Sequence, residues 1–423
     1  MSYQGAVNQK HGTLGPFEEG PPLSRQILHI DIAIIGGGIA GLWTLNQLRN
    51  QGYSAALFEH TALGSSQTIA SQGMIHGGIK HALSGIWGGS SEAIAAMPSI
   101  WRQCLAGNGA VDLRGSQLLS ENVVLFSTDT VRSKVSAVLA SKLLRGRIHK
   151  LSKADYPAPL QSPHFAGEVY RLTDPVWDVG SLLATLREQA SDAIFEIDWD
   201  SASLGNVSGQ VRLNLARCTI VPQRLLLTAG EGNQALIAKL GSDTPRMQRR
   251  PLQQVLIRHQ YKETLYGHCL GAGSSPRLTI TSHIDRGGNP IWYLGGDLAS
   301  ASAEQSSSDL IERARQEVDA IFPWINFGRS EWDTVQLDRA EAAQTGLIRP
   351  ESAFVAAVEG VDNALVAWPT KLSLTPGLAH DVCEHLKRDN IVPKYPQQLS
   401  LLHPLPKPPI ASPCWDTRRE WTG

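Results

Sequence analysis

Residues 30–60 read IDIAIIGGGIAGLWTLNQLRNQGYSAALFEH, a stretch in which an apolar run meets a cluster of glycines. The run at 31–35 is almost continuously apolar, as expected of a strand buried in a parallel sheet. A helix is indicated after the glycines by leucines that share one helical face: Leu42, Leu45 and Leu48. Gly52 then ends the helix, and AALFE at 55–59 forms the next strand. The stretch therefore predicts a strand–helix–strand unit of a parallel sheet.

The glycines follow the spacing Gly-x-Gly-x-x-Gly at Gly36, Gly38 and Gly41. Gly36 permits the tight turn, Gly38 lets the backbone approach a pyrophosphate, and Gly41 lets the helix pack close to the strand. The first helical residues, Ile39 and Ala40, lie where free N–H groups and partial positive charge meet phosphates. This pattern predicts a dinucleotide site.

Glu59 ends the second strand, within about 20 residues of the glycines, where an acid accepts a hydrogen bond from a ribose hydroxyl. Its negative charge repels a 2′-phosphate, so NADP is disfavoured. The fingerprint alone does not separate FAD from NAD. A later stretch, RLLLTAGEGN at 224–233, is a strand ending in Thr-Ala-Gly and resembles the second strand and turn of flavoproteins of the two-dinucleotide type.

Composition sets the broad class of the protein. The 423 residues exceed one typical domain, and the formal net charge of −1 argues against binding nucleic acid through bulk positive charge. Five scattered cysteines without metal-ligand spacing are typical of unpaired thiols in a reducing compartment. We see neither the apolar core of a signal peptide nor a run of membrane-spanning length. We therefore expect a cytoplasmic protein with no metal site, no nucleic-acid partner and no membrane span.

Hydrophobic periodicity outlines the remaining elements. Helices are predicted at 130–145, 180–191 and 376–388, together with a serine-capped helix LIERARQEVDAIF after residue 309. Strands are predicted at 225–229, 253–259, 277–283 and 291–296. The stretch from 393 is rich in proline, and its leucines and tryptophans predict that it packs across the surface.

Four landmarks in order resemble the D-amino-acid oxidase superfamily of FAD-dependent oxidoreductases. The first is GGGIAG with Glu59, and the second is SSQTIASQGMIHGGIKHAL at 65–83. The third is DPVWDVGSLLATLREQA at 174–190, and the fourth combines TGLIRPESAF and WPTKLSLTPGLAHDV within 345–382. The motifs are most similar to the glycerol-3-phosphate and L-2-hydroxyglutarate dehydrogenase-like members. The family's Gly-His-Gly is replaced by Trp-Pro-Thr-Lys at 368–371, and the middle segments match no subgroup.

The resemblance implies an α/β fold (α+β overall) with a Rossmann-like FAD-binding domain around a central parallel sheet and an interleaved antiparallel-sheet substrate domain. The expected FAD-binding domain takes 28–105, 165–245 and 335–392, and the substrate domain takes 106–164 and 246–334. Tails are expected at 1–27, flexible, and at 393–423, Pro-rich. The implied FAD contacts are Gly36, Gly38, Ile39, Ala40, Gly41, Glu59, His60, Ser66, Gln67, Gly73, Met74, Ala229, Gly230, Thr370, Lys371 and Leu372.

The resemblance also implies candidates for catalysis. Lys371, just before a helix, would supply positive charge at the N1/O2 edge of the flavin. His76, followed by two glycines in MIHGG, would act as general base or substrate hydrogen-bond donor. His283 ends an alternating strand and would face the flavin if that strand floors the substrate domain. Arg349, in a Gly-x-x-Arg-Pro stretch, would clamp a substrate carboxylate, with Arg277 and Arg258 as weaker alternatives.

We therefore expect an FAD-dependent oxidase or dehydrogenase that removes a hydride from a C–H beside a hydroxyl or amine of a small anionic substrate. The arginines and the histidine favour a 2-hydroxy acid or polyol phosphate. An amine or amino-acid oxidase is the alternative within enzymes, and an FAD-containing protein that acts on RNA or binds a partner is the alternative outside them. The electron acceptor, whether oxygen, a quinone or a protein, stays open.

Overall fold

A computed structural model describes most of the chain from Arg25 onward. The described residues are 25–78, 89–128, 148–271, 275–300, 305–345, 350, 352–417 and 421–423. The predicted helix at 130–145, the candidate Arg349 and nearly all of the expected N-terminal tail lie outside them.

The described strands are β1 (Gln26–Ile35), β2 (Ala55–Glu59), β3 (Leu118–Ser120), β4 (Val123–Ser127), β5 (Ile148–Lys150), β6 (Glu168–Leu172), β7 (Val176–Trp177), β8 (Ile194–Glu196), β9 (Ser203–Val207), β10 (Gln210–Asn214), β11 (Cys218–Leu227), β12 (Met247–Arg258), β13 (Gly267–Leu270), β14 (Pro276–Ile284), β15 (Pro290–Gly295), β16 (Glu331–Ala342), β17 (Phe354–Ala357) and β18 (Ala364–Trp368). The described α-helices are α1 (Ile39–Asn50), α2 (Gly89–Leu105), α3 (Val179–Gln189), α4 (Asn233–Lys239), α5 (Asp297–Ser300), α6 (Ser307–Ile321), α7 (Thr375–Arg388) and α8 (Cys414–Thr417).

The first sheet is built around β1, which lies between β11 and β2 and runs parallel to both. Its order is β17–β18–β11–β1–β2–β8, with β9 and β10 attached to β11 as an antiparallel extension. β18 and β8 continue the parallel arrangement, and β17 closes one edge antiparallel. β1 is buried from Ile30 to Ile35, which agrees with its apolar sequence.

Helix α1 packs its apolar face on this sheet. Leu42, Leu45 and Leu48 are all inaccessible to solvent. Gly52 follows the helix end with φ of +91°, a left-handed conformation that suits glycine. Two further helices have the N-caps that their sequences indicate. Asp178 accepts from Ser181 N–H at 2.6 Å, and Ser306 accepts from Asp309 N–H at 3.2 Å.

The second sheet has the order β16–β12–β15–β14–β13–β4–β6–β5. Its neighbours pair antiparallel except β4 and β13, which run parallel. Helix α6 packs on one face in a core that includes Leu310, Val318, Phe322 and Trp292. The alternation of side chains along β12 and β16 directs Leu252, Gln254 and Leu337 to the other face. A parallel sheet joined to a largely antiparallel one confirms the expected fold class.

Strand pairing departs from the expected domain boundaries at two places. β6 lies in the segment 165–245 that was expected in the first domain, yet it pairs with β4 and β5 in the second sheet. β16 pairs with β12 along its whole length, so 335–342 also belong to the second sheet. These pairings join segments that are distant in the sequence, so local turn and composition signals do not report them.

The Pro-rich stretch after residue 393 packs against both sheets. Leu399 and Leu402 are buried in the core of the first sheet. Cys414 and Trp415 are buried with Tyr293 on the second. The predicted packing across the surface is confirmed.

Candidate functional site

The turn between β1 and α1 uses glycine where a side chain would collide with backbone. Gly36 has φ of +111°, and a Cβ there would lie 2.5 Å from the Cα and N of Ala229. A Cβ on Gly41 would lie 2.1 Å from the carbonyl oxygen of Gly36 and 2.8 Å from the Thr228 hydroxyl. Gly36 thus makes the turn, and Gly41 permits close packing of the helix on the strand. Gly38 is the N-cap of α1, beside the first amides of the helix.

Glu59 fastens the end of β2 to this turn. Its Oε2 accepts from the Gly37 N–H at 2.7 Å, and its Oε1 accepts from the N–H groups of His60 and Thr61, both at 2.9 Å. The carboxylate is buried, so these hydrogen bonds fix its orientation. Oε2 accepts a single hydrogen bond from the described residues, so one of its lone pairs remains for a ligand hydroxyl.

A cleft of about 670 Å³, called here the outer cleft, opens along this turn between the two sheets. The expected contacts that line it are Gly36, Gly38, Ile39, Ala40, Glu59, His60, Ser66, Gln67, Ala229 and Gly230. Trp199 and Arg249 also line it and were not predicted. Gly41 does not line it, because its role is the helix–strand contact.

A second cavity of about 240 Å³, called here the inner cavity, adjoins the outer cleft. The two share Ile39, Gln67, Thr68 and Pro369. The other expected residues in its lining are Gly73, Met74, His76, Thr370, Lys371 and Leu372. Segments separated by almost 300 positions in the sequence, such as those of Gly73 and Leu372, therefore meet around the inner cavity.

Two non-glycine residues in these linings have left-handed backbone conformations. Ser66 has φ of +62°, and Thr370 has φ of +60°. Such conformations cost about 1–3 kcal/mol each and concentrate at ligand sites. Their positions in the outer cleft and the inner cavity agree with a binding role for both segments.

His76 reaches the inner cavity on a segment that is pinned to residues 174–177. Ile75 N–H donates to the Pro175 carbonyl oxygen at 2.9 Å, and Gly77 N–H donates to Asp174 Oδ2 at 2.9 Å. These hydrogen bonds flank His76 on both sides and fix its backbone. The centroid of its ring lies 5.4 Å from that of His268, whose Nδ1 lies 2.9 Å from the Thr279 hydroxyl.

Gly73 begins the same segment and has a steric requirement of its own. Its φ is +70°, and a Cβ there would lie 2.1 Å from the carbonyl oxygen of Trp177. The carbonyl oxygen of Gly73 accepts from Trp177 N–H at 2.9 Å. Only glycine therefore brings this segment close enough to β7 to form the wall of the inner cavity.

Lys371 lies directly before the N-terminus of α7. It caps a short 3₁₀ turn, Leu372–Leu374, that leads into the helix at Thr375. Trp368, just upstream, donates from Nε1 to the carbonyl oxygen of Gly230 at 3.0 Å, which ties this segment to the turn after β11. A lysine therefore lines the inner cavity on the segment that leads into the positive end of a helix.

Arg339 and Gln254 line the inner cavity and were missed by sequence reasoning. Gln254 is buried, and its Oε1 accepts from the Tyr293 hydroxyl at 2.8 Å, which leaves its amide N–H groups as donors. Arg339 lies opposite Arg250 in the β12–β16 pairing, and the Arg250 guanidinium forms a 2.5 Å ion pair with buried Glu341. The sequence did hold a signal for Arg339. Side chains alternate between the two faces of β16, and this arginine falls on the face that Val335 and Leu337 occupy.

The weaker arginine candidates form ion pairs outside the inner cavity. Arg258 pairs with Asp285 at 3.1 Å and with Glu331 at 3.0 Å. Arg277 pairs with Glu317 beside α6. Neither lines the inner cavity.

His283 ends β14 as expected but does not line the inner cavity. Its ring stacks on Trp415 with centroids 4.1 Å apart, and its Nε2 lies 3.0 Å from the Thr281 hydroxyl. Burial lowers the pKa of His283 to about 3. Trp415 covers this end of the strand, so the structure does not bring His283 together with His76 and Lys371 at the inner cavity.

Replacing His283 with phenylalanine should flatten the dependence of stability on pH. The folded pKa lies below the unfolded one, so the unfolded state binds the proton first and stability falls as pH drops from about 6.5 toward 3. At pH 5 this penalty is about 2 kcal/mol in the free energy of unfolding. Phenylalanine can still stack on Trp415, so the variant should lose that much less stability between pH 7 and pH 5. Urea unfolding at both pH values measures the difference, and the exposed His164→Asn serves as control, with an unchanged difference.

The chain is similar to known FAD-dependent oxidoreductases. A family model for FAD dependent oxidoreductases, DAO, matches residues 31–367. A Pseudomonas aeruginosa protein named "Probable FAD-dependent oxidoreductase" is 43% identical over 397 residues, which are 92% of this chain and 98% of that protein. The crystal structure of an FAD dependent oxidoreductase from Pseudomonas aeruginosa matches with a TM-score of 0.78 at 40% identity, over 92% of this chain and 98% of that one.

More distant structures share the fold. Glycine oxidase from Geobacillus kaustophilus matches with a TM-score of 0.61 at 16% identity, over 88% of this chain and 98% of that one. The L-alpha-glycerophosphate oxidase from Mycoplasma pneumoniae, with FAD bound, matches with a TM-score of 0.61 at 14% identity, over 85% and 95%. Among the residues that the structure describes, no helix combines the length and apolar content needed to cross a bilayer.

Proposed function

The chain belongs to the DAO family of FAD-dependent oxidoreductases, and on that premise we propose that it oxidises a C–H bond beside a hydroxyl group in a small anionic substrate. The favoured substrate class is a 2-hydroxy acid or a polyol phosphate. The observation that carries the proposal is the meeting of His76, Lys371 and Arg339 around one inner cavity of about 240 Å³.

FAD is the cofactor of this family, and the residues present fit it. The turn at Gly36 and the N-terminus of α1 form a phosphate cradle that a Cβ would fill, and the buried carboxylate of Glu59 has capacity for ribose hydroxyls. The outer cleft and the inner cavity are adjacent and share four lining residues, which suits an elongated dinucleotide. Residues 71–74 and 370–372 would hold the flavin ring in the inner cavity.

Bound FAD supplies the acceptor for the hydride that leaves the substrate carbon. The protein must then do three things: bind the anionic end of the substrate, receive the hydroxyl proton, and offset negative charge. His76 would receive the hydroxyl proton through an imidazole nitrogen. Arg339 would bind the carboxylate or phosphate with its guanidinium fork. Lys371 and the N-terminus of α7 would favour the reduced cofactor by their positive charge.

The experiment that tests the proposal is an anaerobic titration of the FAD-loaded protein, monitored through its visible absorption spectrum. The panel is 2-hydroxy acids, glycerol 3-phosphate and amino acids, with 1-propanol as a neutral alcohol. Bleaching by a hydroxy acid or by glycerol 3-phosphate, and not by propanol, would support it. Bleaching by amino acids alone would overturn it and favour an amino-acid oxidase.

Replacing Arg339 with methionine should raise KM for the anionic substrate by about 10- to 100-fold, since a charge-assisted hydrogen bond contributes about 1.5–3 kcal/mol. The effect on kcat should be smaller, because the residue holds the end of the substrate away from the reacting carbon. Steady-state kinetics on the substrate that bleaches the flavin measure both constants. Arg277→Met is the matched control, because Arg277 pairs with Glu317 outside the inner cavity. Equal KM values for the two variants would remove Arg339 from the proposal.

A further inference from the structure

We propose that residues 405–417, called here the strap, belong to the FAD-binding machinery although none of them lines the outer cleft. The strap holds the loop 63–68 against the glycine turn and fastens it to the second sheet, so that FAD affinity depends on it. The inference rests on the family's cofactor and not on the proposed substrate.

The first contact joins the strap to Leu63 through main-chain hydrogen bonds. Leu63 N–H donates to the carbonyl oxygen of Pro409 at 2.8 Å, and Ala411 N–H donates to the carbonyl oxygen of Leu63 at 3.0 Å. Leu63 and Ile410 form an isolated parallel bridge, and Leu63 is completely buried. Both polar backbone groups of Leu63 are therefore satisfied by the strap, which fixes where the loop begins.

Leu63 in turn contacts the glycine turn. Its Cδ2 would lie 2.6 Å from a Cβ on Gly37, so the side chain packs directly on that residue. The next residue, Gly64, donates from its N–H to the carbonyl oxygen of Gly37 at 2.9 Å. The loop then continues through residues 65–68, all of which line the outer cleft, and Thr68 Oγ1 accepts from Ile39 N–H at 3.2 Å at the start of α1. Two successive contacts, from the strap to Leu63 and from Leu63 to Gly37, therefore connect the strap to the phosphate cradle.

The other end of the strap is anchored on the second sheet. Trp415 is buried there and stacks on His283 with centroids 4.1 Å apart. Arg286 donates from its backbone N–H to Asp416 Oδ1 at 2.9 Å and from its guanidinium to the Ser412 hydroxyl at 2.8 Å. Because one end holds the loop and the other holds the second sheet, the strap links the loop to the second sheet.

The sequence of the strap suits this task. Four prolines at positions 406, 408, 409 and 413 restrict the chain before it folds, so less conformational entropy is lost when it is fixed in place. They also remove N–H groups that would need partners along the surface. One of the amides that remain, at Ala411, makes the hydrogen bond to Leu63.

The test removes that single donor. Ala411→Pro deletes the N–H that binds the Leu63 carbonyl, whereas Ala411→Ser keeps it. Binding of FAD to the apoprotein is monitored through the quenching of flavin fluorescence. The dissociation constant should be raised about tenfold in Ala411→Pro and should stay within about twofold of the parental value in Ala411→Ser. The affinity falls because a smaller fraction of the protein holds the loop in its binding-competent position.

A second pair of variants separates cofactor binding from general stability. Trp415→Ala removes the anchor on the second sheet and should also raise the FAD dissociation constant. Arg224→Met removes hydrogen bonds at 2.7 Å to the carbonyl oxygen of Asp362 and to the Asp389 carboxylate, and all three residues lie outside the strap and the loop. It should lower the melting temperature of the apoprotein with little change in FAD affinity. If Ala411→Pro does not fold, Trp415→Ala decides the question. If Ala411→Pro folds, parental FAD affinity in both variants would overturn the proposal. If it does not fold, parental affinity in Trp415→Ala would overturn it by itself. Both readings hold whatever the melting temperatures are.

Discussion

Replacing Gly36 with alanine should produce a protein that no longer retains FAD. The φ of +111° at Gly36 is one that L side chains rarely adopt, and the new Cβ would lie 2.5 Å from the backbone of Ala229. Backbone cannot move aside as a flexible side chain can, so the turn between β1 and α1 must open. We expect a loss of FAD affinity of at least about a hundredfold, equal to roughly 2.7 kcal/mol, because the strained backbone alone accounts for about 1–3 kcal/mol.

The measurement is FAD content after purification, followed by the dissociation constant for FAD added to the apoprotein. Gly205→Ala is the matched control, because a Cβ there meets nothing within 4 Å and no positive φ is involved. It should retain FAD at the parental level. If Gly36→Ala bound FAD as tightly as Gly205→Ala does, the glycine turn would not be the phosphate cradle.

The glycine turn was open to prediction from sequence because its constraints are local. A left-handed backbone at Gly36, close helix packing at Gly41 and an acid at the end of β2 are properties of about 30 consecutive residues. The strand–helix–strand order follows from hydrophobic periodicity in the same window. Six of the ten expected residues that line the outer cleft therefore come from the quoted stretch, and the turn after β11 was supplied by resemblance.

The inner cavity depends on pairing between distant strands, and sequence reasoning reached it only in part. His76 and Lys371 were predicted because motif resemblance marks their segments. Arg339 and Gln254 were not, since their positions follow from the register of β12 on β16, which sets residues more than 80 positions apart side by side. A register is determined by the full set of hydrogen bonds and packed side chains, and a shift of one residue would turn Arg339 to the opposite face.

The position of His283 away from the inner cavity has a similar physical cause. The strand that carries it was predicted, and it does lie in the second sheet. What covers its end is Trp415, more than 130 residues later in the chain, in a Pro-rich stretch without periodicity. Sequence patterns predict that such a stretch packs somewhere, but they do not say on which residue.

Replacing His76 with alanine should lower kcat by about a hundredfold or more if the substrate is an alcohol, since a positioned general base contributes about 10²–10⁴-fold. Removing a hydride from a hydroxyl-bearing carbon requires that the hydroxyl proton go to an acceptor, and His76 is placed for this at the wall of the inner cavity. The hydrogen bonds at Ile75 and Gly77 come from backbone N–H groups, so the variant keeps the segment in place. FAD affinity should therefore stay close to the parental value, and stopped-flow reduction of the flavin measures the chemical step directly.

His283→Phe is the matched control, because it removes a buried histidine outside the inner cavity and should leave the reduction rate unchanged. An amine substrate would reverse the expectation for His76→Ala. A neutral amine already has a lone pair on nitrogen to assist loss of the hydride, so no side-chain base is needed once it is bound. A reduction rate in His76→Ala within about threefold of the parental one, with FAD still bound, would therefore reject the alcohol proposal and favour an amine or amino acid, because so small a change is under 1 kcal/mol of activation free energy.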